Sequence, residues 1–365
     1  MTNREKEIYQ LLRENPMISQ KEIADMLGIQ RSSVAVHILN LTKKGVVKGK
    51  GYILSEGEYV LVIGGANVDI LGFPKDVLRL EDSNPGSIKM SLGGVGRNIG
   101  ENLARLGVST KMMTAVGKDV YGQKILEESR LVDLDMSQAL VLENASTSIY
   151  LSIMNEDGDM KLALSDMDIA ERVDTDYINK NAKLIRSAAA VVVDANLNQS
   201  VIEYLFSNFK EVDFFVDTVS AAKSLKLKAL LPYVHTLKPN RIETEALTGI
   251  SIKTMDDANK AIDVFLEKGV KQVFISLGQD GVVFGNKDTR EVFKPETVKM
   301  INATGAGDAF MAAIVYSWIN RFDPKKTLVF SSCASALAIS CESTINPEIS
   351  EAKVKALMSD LYGMD

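Results

Sequence analysis

The chain has 365 residues, 46% hydrophobic and 25% charged, with a formal net charge of −6 and two cysteines. That balance fits a globular, soluble chain of about two domains. It speaks against a disulfide-built protein, and no apolar run approaches the roughly 20 residues that span a bilayer.

Cys333 and Cys341 lie eight apart in an apolar stretch and read as free thiols. The opening Met-Thr-Asn-Arg-Glu-Lys-Glu lacks the apolar core of a signal peptide, so a cytoplasmic protein is expected. Charge is uneven along the chain. Residues 1–55 carry nine Lys/Arg and five Asp/Glu, whereas the remainder carries 33 and 43. A basic head on an acidic body suggests that the head meets a polyanion.

In chain order, Ile8, Leu11 and Leu12 recur at helical spacing, and Asn15-Pro16 ends that helix. Ser19-Gln-Lys-Glu22 is a capping box that opens a second helix over 22–27, and Gly28 turns the chain. A third helix is predicted from about 30 to 44, with Val34, Ile38 and Leu41 facing inward. Lys48-Gly-Lys-Gly-Tyr-Ile-Leu54 reads as a short β-hairpin. Three helices and a hairpin over 1–56 resemble a winged helix-turn-helix, whose third helix enters the DNA major groove. Gln30, Arg31, Ser32, Ser33 and His37 would then face bases, and Lys43, Lys44, Lys48 and Lys50 phosphates. A small helical cap used for dimerisation is the alternative.

The body, 57–365, opens with Tyr59-Val-Leu-Val-Ile-Gly-Gly65, an apolar strand ending in glycines. Further strands are predicted near 110–116, 190–194, 213–217, 234–237 and 272–277, with helical stretches between. The alternation argues for a parallel sheet covered on both faces, with ligands beyond the carboxyl ends of its strands. Asn67 and Asp69 follow the first strand, where they read either as ligand-binding residues or as an Asx turn. Two segments break the rhythm. Residues 70–92 mix short apolar runs with Pro74, Pro85 and Gly86. Residues 146–165 alternate, turn at Glu156-Asp-Gly-Asp159 and alternate again, which reads as a hairpin.

Three motifs carry chemistry. Asn302-Ala-Thr-Gly-Ala-Gly-Asp308 precedes the helical run Ala309-Phe-Met-Ala-Ala-Ile-Val315. Its backbone N–H groups and the helix dipole would stabilise a phosphate, with Asp308 placed to accept a proton from an attacking hydroxyl. Alone, it is equally a tight turn with an acidic helix start. The other motifs are Gly93-Gly-Val-Gly-Arg-Asn98 and Lys238-Pro-Asn-Arg-Ile-Glu243. In this order and spacing, the three resemble the ribokinase-like (PfkB) sugar and nucleoside kinases over roughly residues 58–350.

The resemblance implies an α/β ribokinase-like sandwich with a small β-lid built from 70–92 and 146–165. It implies ATP and Mg²⁺ as cofactors. Asp308 would be the catalytic base, and Gly305, Ala306 and Gly307 the anion hole. Asn67, Asp69, Gly93, Gly94, Asn98 and Ser148 would bind the sugar, and Asn240 and Glu243 would hold Mg²⁺ through water. Asn240, Ser276, Gly278, Gly281 and Thr304 would contact the nucleotide. Asn302 stands where that family usually has Asp, and Cys341-Glu-Ser-Thr-Ile-Asn346 lacks a customary glycine; both departures count against a monovalent cation.

Asp217-Thr-Val-Ser-Ala-Ala-Lys223, with Gly93–Asn98 and Ser146-Thr-Ser-Ile-Tyr150, looks most like pseudouridine kinases and their helix-turn-helix-bearing relatives. Asp217 and Lys223 join the substrate candidates on that ground. The acceptor implied is a ribonucleoside 5′-hydroxyl, with pseudouridine first. Ribose, adenosine, fructose phosphates and ketodeoxygluconate stay open, because a few lid residues set such discrimination. The competing reading is a ligand-sensing transcription regulator with little kinase activity. A homodimer is expected, since winged helices usually read paired half-sites.

Overall fold

The computed structural model describes residues 1–48, 58–296 and 298–364. The chain divides into two compact units, Met1–Glu58 and Tyr59–Asp365.

In the first unit, helices span Asn3–Glu14, Gln20–Leu27 and Arg31–Lys43. Thr2 and Ser19 each form a capping box, with Glu5 and Glu22 respectively, which satisfies the otherwise orphaned N–H groups of the first turn. Gly28 ends the second helix in the left-handed region at φ 63°, a conformation that costs glycine little. Ile8, Leu12, Ile23, Val34, Ile38, Leu41 and Val47 close the core of this unit. The hairpin expected over 48–54 lies, after Lys48, outside the described residues.

Among the described residues, the body is built on fifteen strands. They are β1 (Val60–Ile63), β2 (Asn67–Pro74), β3 (Gly86–Gly93), β4 (Thr110–Met113), β5 (Ala115–Gly117), β6 (Leu134–Asp135), β7 (Leu140–Leu142) and β8 (Ile149–Met154). They continue with β9 (Met160–Asp166), β10 (Ala190–Asp194), β11 (Phe214–Asp217), β12 (Val234–Lys238), β13 (Gln272–Ser276), β14 (Val282–Asn286) and β15 (Arg290–Phe293). The large sheet runs β15-β14-β13-β12-β11-β10-β1-β4-β6, parallel from β6 to β13 and antiparallel at β14 and β15.

Side chains alternate across this sheet, so one strand feeds two cores. Leu61 and Ile63 join Val191, Val193 and the Gln199–Asn208 and Met255–Glu267 helices on one face. Val60 and Val62 join Val192 and the Val95–Arg105, Ala306–Ile319 and Pro324–Ile339 helices on the other.

Two expectations need correction, and one element was not foreseen. The strand predicted over 110–116 breaks at Thr114: β4 stays in the large sheet, while β5 pairs with β7 in a sheet of two. Asn67 and Asp69 lie in no post-strand turn; they open β2, so the lid begins at Asn67. The β14–β15 hairpin had no counterpart in the sequence reading.

The lid is a four-stranded sheet, β3-β2-β8-β9. Its register partners Ile70 and Met90, Gly72 and Ile88, Leu151 and Leu164, and Ile153 and Leu162 share one face. That face is apolar and open, with Ile88 76%, Leu164 61% and Leu162 58% exposed. Asn67, Asp69 and Gly93 alternate onto the other.

Candidate active site

The carboxyl ends of β10, β11 and β12 place Asp194, Asp217 and Lys238 side by side, because the parallel register pairs Asp194 with Asp217 and Asp217 with Lys238. All three are buried. A parallel sheet offers its ligand crevice at this edge.

Asp194 is fully buried and accepts from the N–H groups of Gly65 and Gly96 at 2.8 Å each, and from that of Asn196 at 2.8 Å. It joins the loop after β1 to the start of the Val95–Arg105 helix. The approach leaves no room for side chains. A Cβ on Gly94, which sits at φ 95°, would lie 2.4 Å from the Gly65 carbonyl oxygen. Burial pushes the Asp194 carboxyl above its ordinary range, against the pull of its backbone donors. Arg97, within the same motif, turns into a buried ion pair with Glu101 at 2.6 Å.

Asn98, on the first turns of that helix, donates through Nδ2 to Asp308 Oδ2 at 2.8 Å. Its Oδ1 is buried and has no partner, so an acceptor stands free beside Asp308. Asp308 lies in the first turn of the Ala306–Ile319 helix. Gly305 is the residue before that helix, at φ 84°, and a Cβ there would sit 1.9 Å from the Thr344 carbonyl oxygen. Loss of water, and then the nearby Asp217 charge, push the Asp308 carboxyl up to about 7; the Asn98 bond and Lys238 act in the opposite sense.

The remaining candidates fall into groups. Asn67 donates to Asp69 at 2.6 Å, and burial raises Asp69 above the usual carboxylate range. Gly93 backs this pair: a Cβ there would lie 2.2 Å from Asp69 Oδ2. Ser148 is buried, and its carbonyl accepts from Val68 of β2. Asn240 and Glu243 form a capping box at the start of the Arg241–Thr248 helix, and Asn240 bridges to Ser276. Gly278–Asp280 makes a short 3₁₀ turn closed by Gly281 at φ 105°. Thr304 N–H donates to Asn302, whose amide donates in turn to the Glu342 carbonyl at 3.0 Å. Lys223 is exposed and donates to Asn196 at 2.5 Å.

Glu243 accepts from Asn240 N at 2.8 Å, Asn240 Nδ2 at 2.8 Å and Thr218 Oγ1 at 2.5 Å. Three of its roughly four lone-pair sites are thereby used. Among the described residues, no three His, Cys, Asp or Glu side chains cluster to hold a metal. The residues therefore suit Mg²⁺ in an outer shell, orienting its water, rather than as direct ligands.

In the first unit, Gln30 precedes the third helix, Arg31, Ser32 and Ser33 are exposed on its first turn, and Lys43 at its end and Lys48 beyond it are also exposed. His37 is half-buried. Lys44 does not stand free: it pairs with buried Glu5 at 2.7 Å. Lys50 lies outside the described residues.

Sequence reasoning passed over Asp194, Lys238, Thr218 and Asn196 as site residues. A usable signal was there, since Val-Val-Val-Asp194 and Phe-Phe-Val-Asp217 both end an apolar strand in a charge.

The fold and this crevice define a sugar or nucleoside kinase. Residues 58–351 match the model of the pfkB family carbohydrate kinases, and residues 1–48 match that of winged helix-turn-helix DNA-binding domains. The chain is 40% identical to the uncharacterized sugar kinase YeiI of Escherichia coli K12, over 96% of this chain and 97% of that one. It is 36% identical to the pseudouridine kinase of the same organism, over 84% and 98%. A crystal structure described as a sugar kinase from Clostridium perfringens superposes with a TM-score of 0.78 at 38% identity, covering 84% of this chain and 96% of that one. The chain belongs to the pfkB family of carbohydrate kinases, phosphotransferases with a hydroxyl acceptor.

If Asp308 is the base, it works only when ionised, and its ionised fraction rises as pH climbs through about 7. The logarithm of kcat/KM is expected to climb with unit slope below that value and level above it. A profile flat from pH 5.5 to 8 would exclude Asp308 as the essential base.

Proposed function

We propose that the chain is an ATP- and Mg²⁺-dependent kinase of the 5′-hydroxyl of a ribonucleoside, pseudouridine first, acting in the cytoplasm. The observation that carries this reading is the 2.8 Å contact between Asn98 and Asp308. It joins the Gly-Gly motif to the helix start, so a hydroxyl there would meet a carboxylate and a free amide oxygen together. The relative named pseudouridine kinase supports the choice of acceptor.

The hydroxyl proton passes to Asp308 as the oxygen attacks. Backbone N–H groups of Gly305, Ala306 and Gly307 stabilise charge on the transferring phosphoryl group. Magnesium, when bound, neutralises phosphate charge, with Asn240 and Glu243 orienting its water. The lid, with Asn67 and Asp69 on β2 and Ser148 just before β8, covers the sugar and excludes water as a rival acceptor.

ADP release with Mg-ATP across pentoses, hexose phosphates, sugar acids and nucleosides tests this. Turnover is expected on pseudouridine, with Asp308→Ala folded and slower by about 10²–10⁴. A mutant with near-native kcat sinks the base assignment, and a silent wild-type enzyme sinks the kinase reading in favour of a ligand sensor.

The head is read as a DNA-binding module, on the exposed first turn Gln30–Ser33 of its third helix. Duplex from upstream of the protein's own operon is expected to bind more tightly than bulk competitor at moderate salt. Arg31→Ala should weaken that preference, and equal binding to all duplexes would refute specific recognition.

A second copy of the chain is the partner proposed for the open lid face. Eight hydrophobic or glycine positions without a charge suit a self-complementary sheet-on-sheet contact. Light scattering should show a dimer that Leu164→Glu splits. A wild-type monomer at micromolar concentration ends the idea.

A further inference from the structure

Lys238 closes the charged row at the sheet edge. It is 6% exposed, and its ammonium lies 3.0 Å from Asp217 Oδ2, the one carboxylate within ion-pair distance among the described residues. An ammonium has three donors. Asp217 has a second partner of its own, because its Oδ1 accepts from Val219 N at 2.9 Å.

The ammonium also faces Gly307. A Cβ built on Gly307 would stand 3.4 Å from Lys238 Nζ, the one approach within 4 Å from outside its own helix turn. The ammonium and the first turn of the Ala306–Ile319 helix therefore border one niche, next to Gly307. If Lys238 served only to neutralise Asp217, an apolar pair of similar volume would stabilise the fold as well or better. Its cost is explained by an anion that enters the niche.

We propose that Lys238 is a catalytic residue whose ammonium donates to a non-bridging oxygen of the transferring phosphoryl group in the niche beside Gly307. This rests on the kinase reading above. In the step, the bond from the γ-phosphorus to its bridging oxygen breaks and one from the substrate oxygen forms. The substrate proton goes to Asp308, ADP leaves, and Lys238 keeps its three protons. Its charge also acts on Asp308, favouring the ionised base.

The test is a double-mutant cycle. Lys238→Met is made in the wild-type chain and in an Asp217→Asn background, where no buried carboxylate is left unpaired if the single variant fails to fold. Removal of Lys238 is expected to lower kcat by about 10²–10³ in both backgrounds, the effect of losing one oxyanion donor. In the wild-type background the acidic limb of kcat/KM should move above pH 7, because a positive charge beside Asp308 is gone. Calorimetry supplies a readout without turnover: Lys238→Met should weaken Mg-AMPPNP on the order of tenfold to a hundredfold and leave Mg-ADP unchanged.

A loss of kcat that vanishes in the Asp217→Asn background would show that Lys238 only balances Asp217. Equal effects on AMPPNP and ADP would likewise overturn the proposal. A wild-type enzyme silent on every acceptor would remove the kinase reading, while the nucleotide-binding difference would still decide whether Lys238 meets the γ-phosphate.

Discussion

The buried carboxylate of Asp194 is the constraint on which the site depends. It accepts three backbone N–H groups, from Gly65, Gly96 and Asn196, each at 2.8 Å. Those donors belong to three segments: the loop after β1, the start of the Val95–Arg105 helix, and the turn after β10 itself. Without it, all three N–H groups would lose their acceptor, and leaving a buried donor such as that of Gly96 unpaired costs about 1–3 kcal/mol. The glycines around it follow from the same geometry. Gly64 and Gly96 approach so closely that a Cβ on either would fall within 3 Å of Asp194 Oδ2. The Gly-Gly motif is therefore a packing requirement before it is a binding one. From that pinned helix start Asn98 reaches Asp308.

From this pinned edge the electrostatics follow. Asp194, Asp217 and Asp308 crowd one crevice, and Lys238 and Asn98 oppose them. Removal of water raises the energy of a carboxylate, and a neighbouring negative charge raises it further. The balance leaves Asp308 near 7 rather than near its ordinary 3.8. A carboxylate poised there is half ionised near neutral pH, and it is a stronger proton acceptor than an exposed aspartate. The Asn98 bond and, after it, Lys238 limit that rise. Burial works against the lysine's charge, but Asp217, Glu243 and Asp308 outweigh burial and raise its pKa. The lysine thus stays protonated where a lone buried amine would not.

Local signals carried much of this into the sequence. The Ser19 capping box, the Gly28 turn and the inward Val34, Ile38 and Leu41 gave the head its helices, because caps and 3.6-residue periodicity act within a few residues. Apolar runs gave β1, β10, β11, β12 and β13. What escaped depends on partners far along the chain. β4 and β5 read as one run, and only their pairing with β1 and β7 separates them at Thr114. Asp194 gains its role from Gly65 and Gly96, 129 and 98 residues away. Lys44 reads as a free phosphate contact until Glu5, 39 residues earlier, is seen to hold it. Lys238 stood within a recognised motif but was passed over, since its meaning comes from the register that sets it beside Asp217.

The lid shows how one periodicity serves two ends. Along β2, Asn67 and Asp69 point to one face and Val68, Ile70 and Gly72 to the other, because side chains alternate with period 2. A shift of one residue would exchange the polar site residues with the apolar row. Register is therefore fixed from both sides at once: the site needs Asn67 and Asp69 against Gly93, and the outer face needs its apolar residues in line. Any body that covers the outer face must hold the same backbone that aims Asn67 and Asp69. A second copy on the outer face and a sugar on the inner one, both proposed above, would order the same strands, so each would reduce the entropy cost of the other. Under those two proposals, coupling between self-association and substrate binding would run through the pleat, without any change in the residues that touch the substrate.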